Sequence, residues 1–279
     1  MKVTVARSLE EALADPEAIF LAGGTDLMVG VNFGRERPEH VVSIRGLSEL
    51  GDTSVGERVR IGGGVDYTRV LDALGEHSPA LVQAARTIGS PQIRNAGTIG
   101  GNLGTCSPAG DTLPVLAALD AEVILRSPVG ERRVPFSEFM LGPRKSARRP
   151  GELVEAVEWL DAGPSQAFLK AGTRNAMVIA VANLALVVDR ARKAVRVALG
   201  SVGPTIIRAL EAEDLARGLF EESGWERPLR PSQAAAARFG ELAAAAARPI
   251  DDQRGSAIYR RHVVAVMARR ALARTGEVA

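Results

Sequence analysis

The stretch Thr98-Ile99-Gly100-Gly101-Asn102-Leu103-Gly104-Thr105-Cys106-Ser107-Pro108-Ala109-Gly110-Asp111 puts Gly, Thr, Ser, Asn and Asp into fourteen residues. It runs straight into an apolar segment that begins at Leu113. Small polar residues joined to a buried element suit a ligand wrapped by backbone, because glycine lets N–H groups approach with no Cβ in the way. Two further aliphatic runs end in glycines, Leu21-Ala22-Gly23-Gly24-Thr25-Asp26 and Ile61-Gly62-Gly63-Gly64. Successive N–H groups in such turns form a concave anion site. Two of them converging would hold a pyrophosphate without Lys or Arg, with the hydroxyls of Thr25, Thr98, Thr105 and Ser107 as further donors. Taken singly, each glycine pair reads first as a tight turn. No GxGxxG follows a strand and no GxxxxGKS or GxxxxGKT occurs, so a nucleotide site here uses neither the Rossmann nor the P-loop arrangement.

Composition narrows the classes further. The chain has 279 residues, 46% hydrophobic and 24% charged, which is ordinary for a globular protein. Lys plus Arg total 35 against 33 Asp plus Glu, a balance that speaks against a dedicated nucleic-acid binder. The single cysteine, Cys106, forms no internal disulfide and holds no iron–sulfur cluster alone. His40, His77 and His262 lie far apart in sequence, with no metal-ligand spacing, so no metal is expected. The N-terminus turns acidic too early for a signal peptide, and the longest apolar run is shorter than the roughly 20 residues of a membrane span. A cytoplasmic protein with no membrane span is expected.

Short β-branched runs alternate with helical stretches over the first 160 residues. Strands are expected at Ala18–Leu21, Val41–Ile44, Val59–Ile61, Glu122–Leu125, Arg133–Pro135 and Leu153–Trp159. Helices are expected at Ser8–Leu13, Tyr67–Leu74, Pro79–Thr87 and Pro114–Leu119. The basic stretch Pro143–Pro150 reads as a surface loop, solvated or facing a partner. After Gln166 come strand-like segments and three helices, at Arg208–Leu219, Ser232–Ala247 and Ser256–Thr275. Ile258, Val263, Val266, Met267 and Ala271 form the expected buried stripe of the last. The predicted organisation is two α/β subdomains, residues 1–57 and 58–163, followed by an α+β domain, residues 164–279.

In order along the chain, several segments resemble one family. LAGGTDLMVG (21–30) resembles the first FAD-binding segment of the flavoprotein subunits of molybdenum hydroxylases, the xanthine dehydrogenase and aerobic carbon monoxide dehydrogenase type. QIRNAG (92–97) and TIGGNLGTCSPAGD (98–111) resemble the second segment. GPRKSARRPGELV (142–154), FLKAGTRNAMVIAVAN (168–183), LGSVGPTIIRALEAE (199–213) and SAIYRRHVVAVMARRAL (256–272) complete the likeness.

The resemblance implies a p-cresol methylhydroxylase-type FAD-binding fold with a C-terminal α+β domain, and an FAD-dependent oxidoreductase subunit that relays electrons. On that reading Leu21, Ala22, Gly23, Gly24, Thr25, Asp26, Leu27 and Met28 wrap the FAD pyrophosphate. Gly97, Thr98, Ile99, Gly100, Gly101 and Asn102 form a second wall. Asp111 makes a polar contact, Val154 an apolar contact, and Lys170 lies near the flavin. Ile88 stands where the animal xanthine enzymes carry a phenylalanine against the flavin ring. The implied partners are a large subunit with the molybdenum cofactor and a small subunit with 2Fe–2S clusters, assembled as a dimer of heterotrimers. The implied acceptor is NAD or a quinone. No residue pattern suggests a catalytic acid–base pair or nucleophile. A self-sufficient flavin oxidoreductase of the same fold is the alternative.

The residues also have plainer readings. Asp111 suits the N-cap of the helix after it, and Lys170 suits a solvated strand edge. Cys106 suits an inert buried thiol, and Trp159 and Trp225 suit packing. Arg94 reads equally as a phosphate contact or an ion-pair partner.

Overall fold

The computed structural model describes residues 1–277. In chain order its first elements are β1 (Lys2–Val5), α1 (Leu9–Leu13), β2 (Ile19–Leu21), α2 (Leu27–Asn32), β3 (His40–Ser43), β4 (Thr53–Ser54) and β5 (Arg58–Gly62). Then come α3 (Tyr67–Ala73), α4 (Pro79–Arg86), α5 (Pro91–Arg94), α6 (Ile99–Thr105), α7 (Leu113–Ala118), β6 (Glu122–Ser127), β7 (Gly130–Pro135), α8 (Phe136–Phe139), β8 (Met140–Gly142), β9 (Lys145–Ser146) and β10 (Leu153–Leu160). The remainder is β11 (Gln166–Ala171), β12 (Ala182–Asp189), β13 (Ala194–Gly200), β14 (Ile207–Arg208), α9 (Leu210–Ser223), α10 (Gln233–Ala246) and α11 (Ala257–Glu277). No described helix is long and apolar enough to cross a membrane.

The chain divides into two compact units. The first comprises Met1–Ala73, Gly89–Ser107 and Ala121–Leu160. It holds a three-stranded parallel sheet, order β1-β3-β2, and a five-stranded antiparallel sheet, order β4-β5-β10-β6-β7. On the larger sheet Val59, Ile61, Val123, Leu125, Val157 and Trp159 are buried. Charges occupy alternate positions, as a two-residue side-chain period requires. Glu155 accepts from Arg60 at 3.0 Å and from Arg126 at 2.5 Å, and Glu158 from Arg60 at 2.6 Å and Arg133 at 2.8 Å. Each buried carboxylate is thus shared by two guanidinium groups, which offsets its desolvation.

The second unit comprises Leu74–Ile88, Pro108–Asp120 and Asp161–Ala279, described to Glu277. A four-stranded antiparallel sheet, order β11-β12-β13-β14, is its centre. β12 is buried along its whole length. The core gathers Leu184, Leu186, Val197, Leu199, Phe220, Phe239, Val264, Met267 and Leu272. These two units make the protein mixed α/β, as the alternation of strand and helix signals predicts.

The predicted strands and helices appear within a few residues of their expected ends, with three informative differences. Where turn chemistry is expected after Thr98, the chain becomes helical at Ile99, because the Thr98 hydroxyl caps α6 by accepting from Gly101 N at 2.9 Å. Pro143–Pro150 contains β9, which pairs with β8, and Arg148 donates to Glu152 O at 3.0 Å. The stripe of α11 is rotated from the expected one. Ile258 is 80% exposed, while Arg260, Val264, Met267, Ala268, Ala271 and Leu272 are buried. The cause is Arg260, whose guanidinium donates to Val181 O at 3.0 Å, Ser201 O at 2.5 Å and Asp252 Oδ1 at 2.5 Å. A buried arginine that satisfies two carbonyls and a carboxylate fixes the phase of its helix.

The glycine turns of the first unit pack on one another. A Cβ on Gly23 would lie 1.6 Å from Ala96 O, and one on Gly100 would lie 2.5 Å from Gly63 O. Both distances are far inside van der Waals contact, so backbone meets backbone directly. Gly104, inside α6, has nothing within 4 Å of its Cβ position. Gly23→Ala is therefore expected to cost about 2–3 kcal/mol or more by overpacking. Gly104→Ala should instead stabilise by about 0.5–1 kcal/mol through helix propensity. Urea denaturation followed by circular dichroism checks both signs.

Candidate functional site

In the first unit the predicted residues of the two glycine segments come together. β2 ends at Leu21, and Ala22 to Asp26 turn the chain into α2, which contains Leu27 and Met28. Gly23 rests against Ala96 O, next to Gly97, so the first segment is seated on the second. Gly100 rests on Gly63, and a Cβ on Gly63 would lie 2.1 Å from Val154 O, which brings β10 to the same place. Val154 itself is buried.

The two segments differ in what they leave free. The second spends its backbone donors inside the protein. Gly97 N donates to Ile93 O at 2.7 Å, Ile99 N to Val65 O at 3.1 Å, and Gly100 N to Gly63 O at 2.9 Å. Gly101 N and Asn102 N both donate to Thr98. In the first, none of the N–H groups of Gly23, Gly24, Thr25, Asp26 and Leu27 donates to another described residue. Five successive free amides, on a turn that backbone contacts hold in place, are a donor set for an anion. They fit a phosphate-bearing cofactor such as FAD. The carboxylate of Asp26 is engaged otherwise, accepting from Arg144 at 3.2 Å, while Arg144 also reaches Glu36 at 2.8 Å. Arg144 sits at φ 58°, a left-handed conformation in the turn between β8 and β9.

In the second unit Asp111 and Lys170 are paired. Lys170 Nζ donates to Asp111 Oδ2 at 2.5 Å and to Thr87 O at 3.2 Å. Asn183 Nδ2 donates to Asp111 Oδ1 at 2.9 Å, and the Thr87 hydroxyl lies 3.3 Å from Asp111 Oδ2. Both charged side chains are less than a tenth exposed, and Asn183 is fully buried. Burial pushes the Asp111 carboxyl above the usual carboxylate range, and Lys170 opposes that rise. Thr112, and not Asp111, is the N-cap residue of α7, so Asp111 is spent on the network. Lys170 is correspondingly no solvated edge residue. Ile88 follows Thr87 directly and donates its N–H to Ala85 O at 3.2 Å.

Asn183, Thr87 and Arg144 are the residues that sequence reading missed. Asn183 had a signal, because a lone asparagine inside the apolar run of β12 must find a partner. Cys106, at the left-handed C-cap of α6, is buried, and burial pushes its thiol up to about 11. It is an unreactive protonated thiol near neutral pH.

Comparison with known proteins identifies the family. Residues 1–159 match the family model described as the FAD binding domain in molybdopterin dehydrogenase. Residues 167–275 match the CO dehydrogenase flavoprotein C-terminal domain. The chain belongs to this family of FAD-binding oxidoreductase subunits. It is 34% identical over 225 residues to the nicotinate dehydrogenase FAD-subunit of Eubacterium barkeri, covering 76% of each chain. It is 30% identical over 281 residues to the nicotine 6-hydroxylase medium subunit of Paenarthrobacter nicotinovorans, covering 96% of this chain and 95% of that one. A chain of the reconstituted CO dehydrogenase from Oligotropha carboxidovorans superposes with a TM-score of 0.88 at 27% identity, over 100% of this chain and 98% of the other.

Removing the lysine of the buried pair tests the energetics. Lys170→Met strands the Asp111 carboxylate, a loss expected to cost about 3–5 kcal/mol at neutral pH. With burial unopposed, the folded variant binds a proton more tightly than its unfolded chain. The deficit should therefore shrink as pH falls and grow as pH rises. Urea midpoints of the variant and wild type at pH 5 and pH 8 measure that difference.

Proposed function

We propose that this chain is the electron-relaying FAD subunit of a molybdenum hydroxylase complex. The observation that carries this reading is the row of free amides from Gly23 to Leu27, seated on Ala96, in a chain of the FAD-binding family. Those amides and the Thr25 hydroxyl bind the pyrophosphate, with Leu21, Ala22 and Met28 shaping the turn. Gly97, Thr98, Ile99, Gly100, Gly101 and Asn102 hold that turn in position from the second segment. Val154 and Ile88 supply apolar contacts to the cofactor.

Lys170 has two ammonium donors committed within the protein, and the family resemblance assigns its third to the flavin. Asp111 holds that lysine in place, and a cation near the ring favours the reduced, anionic flavin. FAD, when bound, supplies the redox chemistry. The chain binds it, orients it and shields it from water.

The finer reading follows the resemblance. The FAD-binding part takes the p-cresol methylhydroxylase-type fold, with subdomains 1–57 and 58–163 and a C-terminal domain 164–279. Electrons arrive from 2Fe–2S clusters of a small subunit, after substrate oxidation at the molybdenum cofactor of a large subunit. They leave to NAD or a quinone. The assembly is a dimer of heterotrimers in the cytoplasm.

Titration of the purified chain with FAD, followed by flavin absorbance and chromatography of the heat-released cofactor, tests the reading. Stoichiometric, non-covalent FAD is the expected result, and a folded chain or complex that takes up no flavin overturns it. Gly24 sits at φ +69°. A non-glycine residue there costs about 1–2 kcal/mol, which the free turn escapes by leaving the left-handed conformation and must repay on binding, so Gly24→Ala should weaken FAD binding by about tenfold.

A further inference from the structure

Three residues of the four-stranded sheet in the second unit stand in one cross-strand row. Lys170 of β11 lies opposite Asn183 of β12, and Asn183 lies opposite Gly200 of β13. Residues directly opposite one another share a face, with Cβ atoms about 5 Å apart. The row therefore reads ammonium, amide, no side chain. Gly200 has no left-handed φ to explain it, and glycine is a poor choice for a strand position. Its neighbour explains it. A Cβ on Gly200 would lie 2.1 Å from Asn183 Oδ1 and 3.2 Å from Asn183 Cγ. The missing side chain is the space that the amide occupies.

The amide is bonded at one end only. Asn183 Nδ2 donates to Asp111 Oδ1 at 2.9 Å, while Oδ1 is buried and accepts no hydrogen bond from a described residue. An ionised carboxylate only accepts, so the nitrogen end must face Asp111 and the oxygen end must face Gly200. A buried acceptor without a donor calls for an explanation. Here, turning the amide over would point its oxygen at the Asp111 carboxylate, and a side chain at residue 200 would drive the amide from its place. The strands around it are fixed as well. Arg260, 3% exposed, donates to Val181 O at 3.0 Å and to Ser201 O at 2.5 Å. Those carbonyls lie just beyond the Asn183–Gly200 rung, so the guanidinium ties the two strands where their ladder ends. Asp111 is then gripped on both oxygens, by Asn183 on Oδ1 and by Lys170 and the Thr87 hydroxyl on Oδ2. A carboxylate released from one side turns about its Cβ–Cγ bond, and an ammonium bonded to it turns with it.

We propose that Asn183, seated on Gly200, is a positioning residue for Lys170. It fixes the plane of the Asp111 carboxylate, and through it the direction of the one ammonium donor that Asp111 and the Thr87 carbonyl leave over. This rests on the reading in which that donor meets the flavin. The consequence is electrostatic. A cation held in place favours the reduced, anionic flavin over the neutral oxidised one, and a cation free to swing away loses that preference. Asn183 and Gly200 thus help to set the potential at which the bound flavin takes up electrons, acting through Asp111 and Lys170.

The test measures FAD affinity and the midpoint potential of bound FAD in the full chain, or in its complex, carrying Asn183→Ala, Gly200→Ala, both together, or Lys170→Met. Circular dichroism verifies folding, and Asn183→Ser, too short to reach Asp111, takes the place of Asn183→Ala should that variant not fold. Each single variant at 183 or 200 should bind oxidised FAD within about twofold of wild type and reduced FAD about tenfold more weakly. That ratio lowers the midpoint of a two-electron couple by about 30 mV. Once Asn183→Ala has removed the amide, Gly200→Ala should lower the potential no further. A merely structural role would lower stability and leave the potential where it was. Wild-type potentials in both single variants, with that of Lys170→Met lowered, overturn the proposal and leave the electron-relay reading standing. An unchanged potential in Lys170→Met overturns it too, because the lysine then does not act on the flavin. Additive losses in the double variant overturn the link from Gly200 to the amide. Failure of the folded wild-type chain or complex to bind FAD overturns both the proposal and the reading beneath it.

Discussion

Everything in the first unit depends on backbone touching backbone without side chains between. Gly23 against Ala96 and Gly100 against Gly63 bring three distant turns to one place. Each approach is closer than any Cβ permits, so the residue type is fixed by sterics alone. What results is an uneven division of labour. One segment consumes its amides to build the support, and the other is left with five N–H groups pointing to no acceptor of its own. A fixed set of donors in a supported turn binds an anion with little reorganisation.

The second unit solves a different problem. A buried carboxylate is costly, and Asp111 is accommodated by bonds from Lys170 and Asn183, with the Thr87 hydroxyl close by. Desolvation and attraction oppose each other there. The arrangement is worth having for the orientation it imposes on one ammonium group, since buried ion pairs contribute little net stability. The Glu155 and Glu158 ladder obeys the same rule on the larger sheet, where each of these two carboxylates has two guanidinium partners.

Much of this was legible in the residues. Alternating β-branched runs marked β5, β6 and β10, and proline and serine marked the start of α4. The glycine turns marked the donor loop through their repetition, since a single glycine pair next to threonine or aspartate reads equally as a tight turn. What the sequence hid were pairings across long separations. Nothing near Arg144 names Asp26, and nothing near Lys170 names Asp111 as its counter-ion. The phase of α11 was hidden for a related reason. A stripe drawn from hydrophobicity excludes arginine, yet Arg260 points inward because two carbonyls and an aspartate await it. Asn183 shows the converse, a polar residue whose burial could have been inferred from its apolar neighbours.

The family boundary near residue 160 and the structural boundary do not coincide. The second unit takes in Leu74–Ile88 and Pro108–Asp120, so α4 packs on β11 and α7 packs on β12 and β13. On the ribosome those two helices are made long before the sheet that they cover. They must wait through the synthesis of β6 to β10 for a surface to pack on. A gene fragment encoding only the last third of the chain would yield a sheet with one of its faces stripped of two helices. Recombination among relatives at the apparent domain border would break this protein in the middle of a unit.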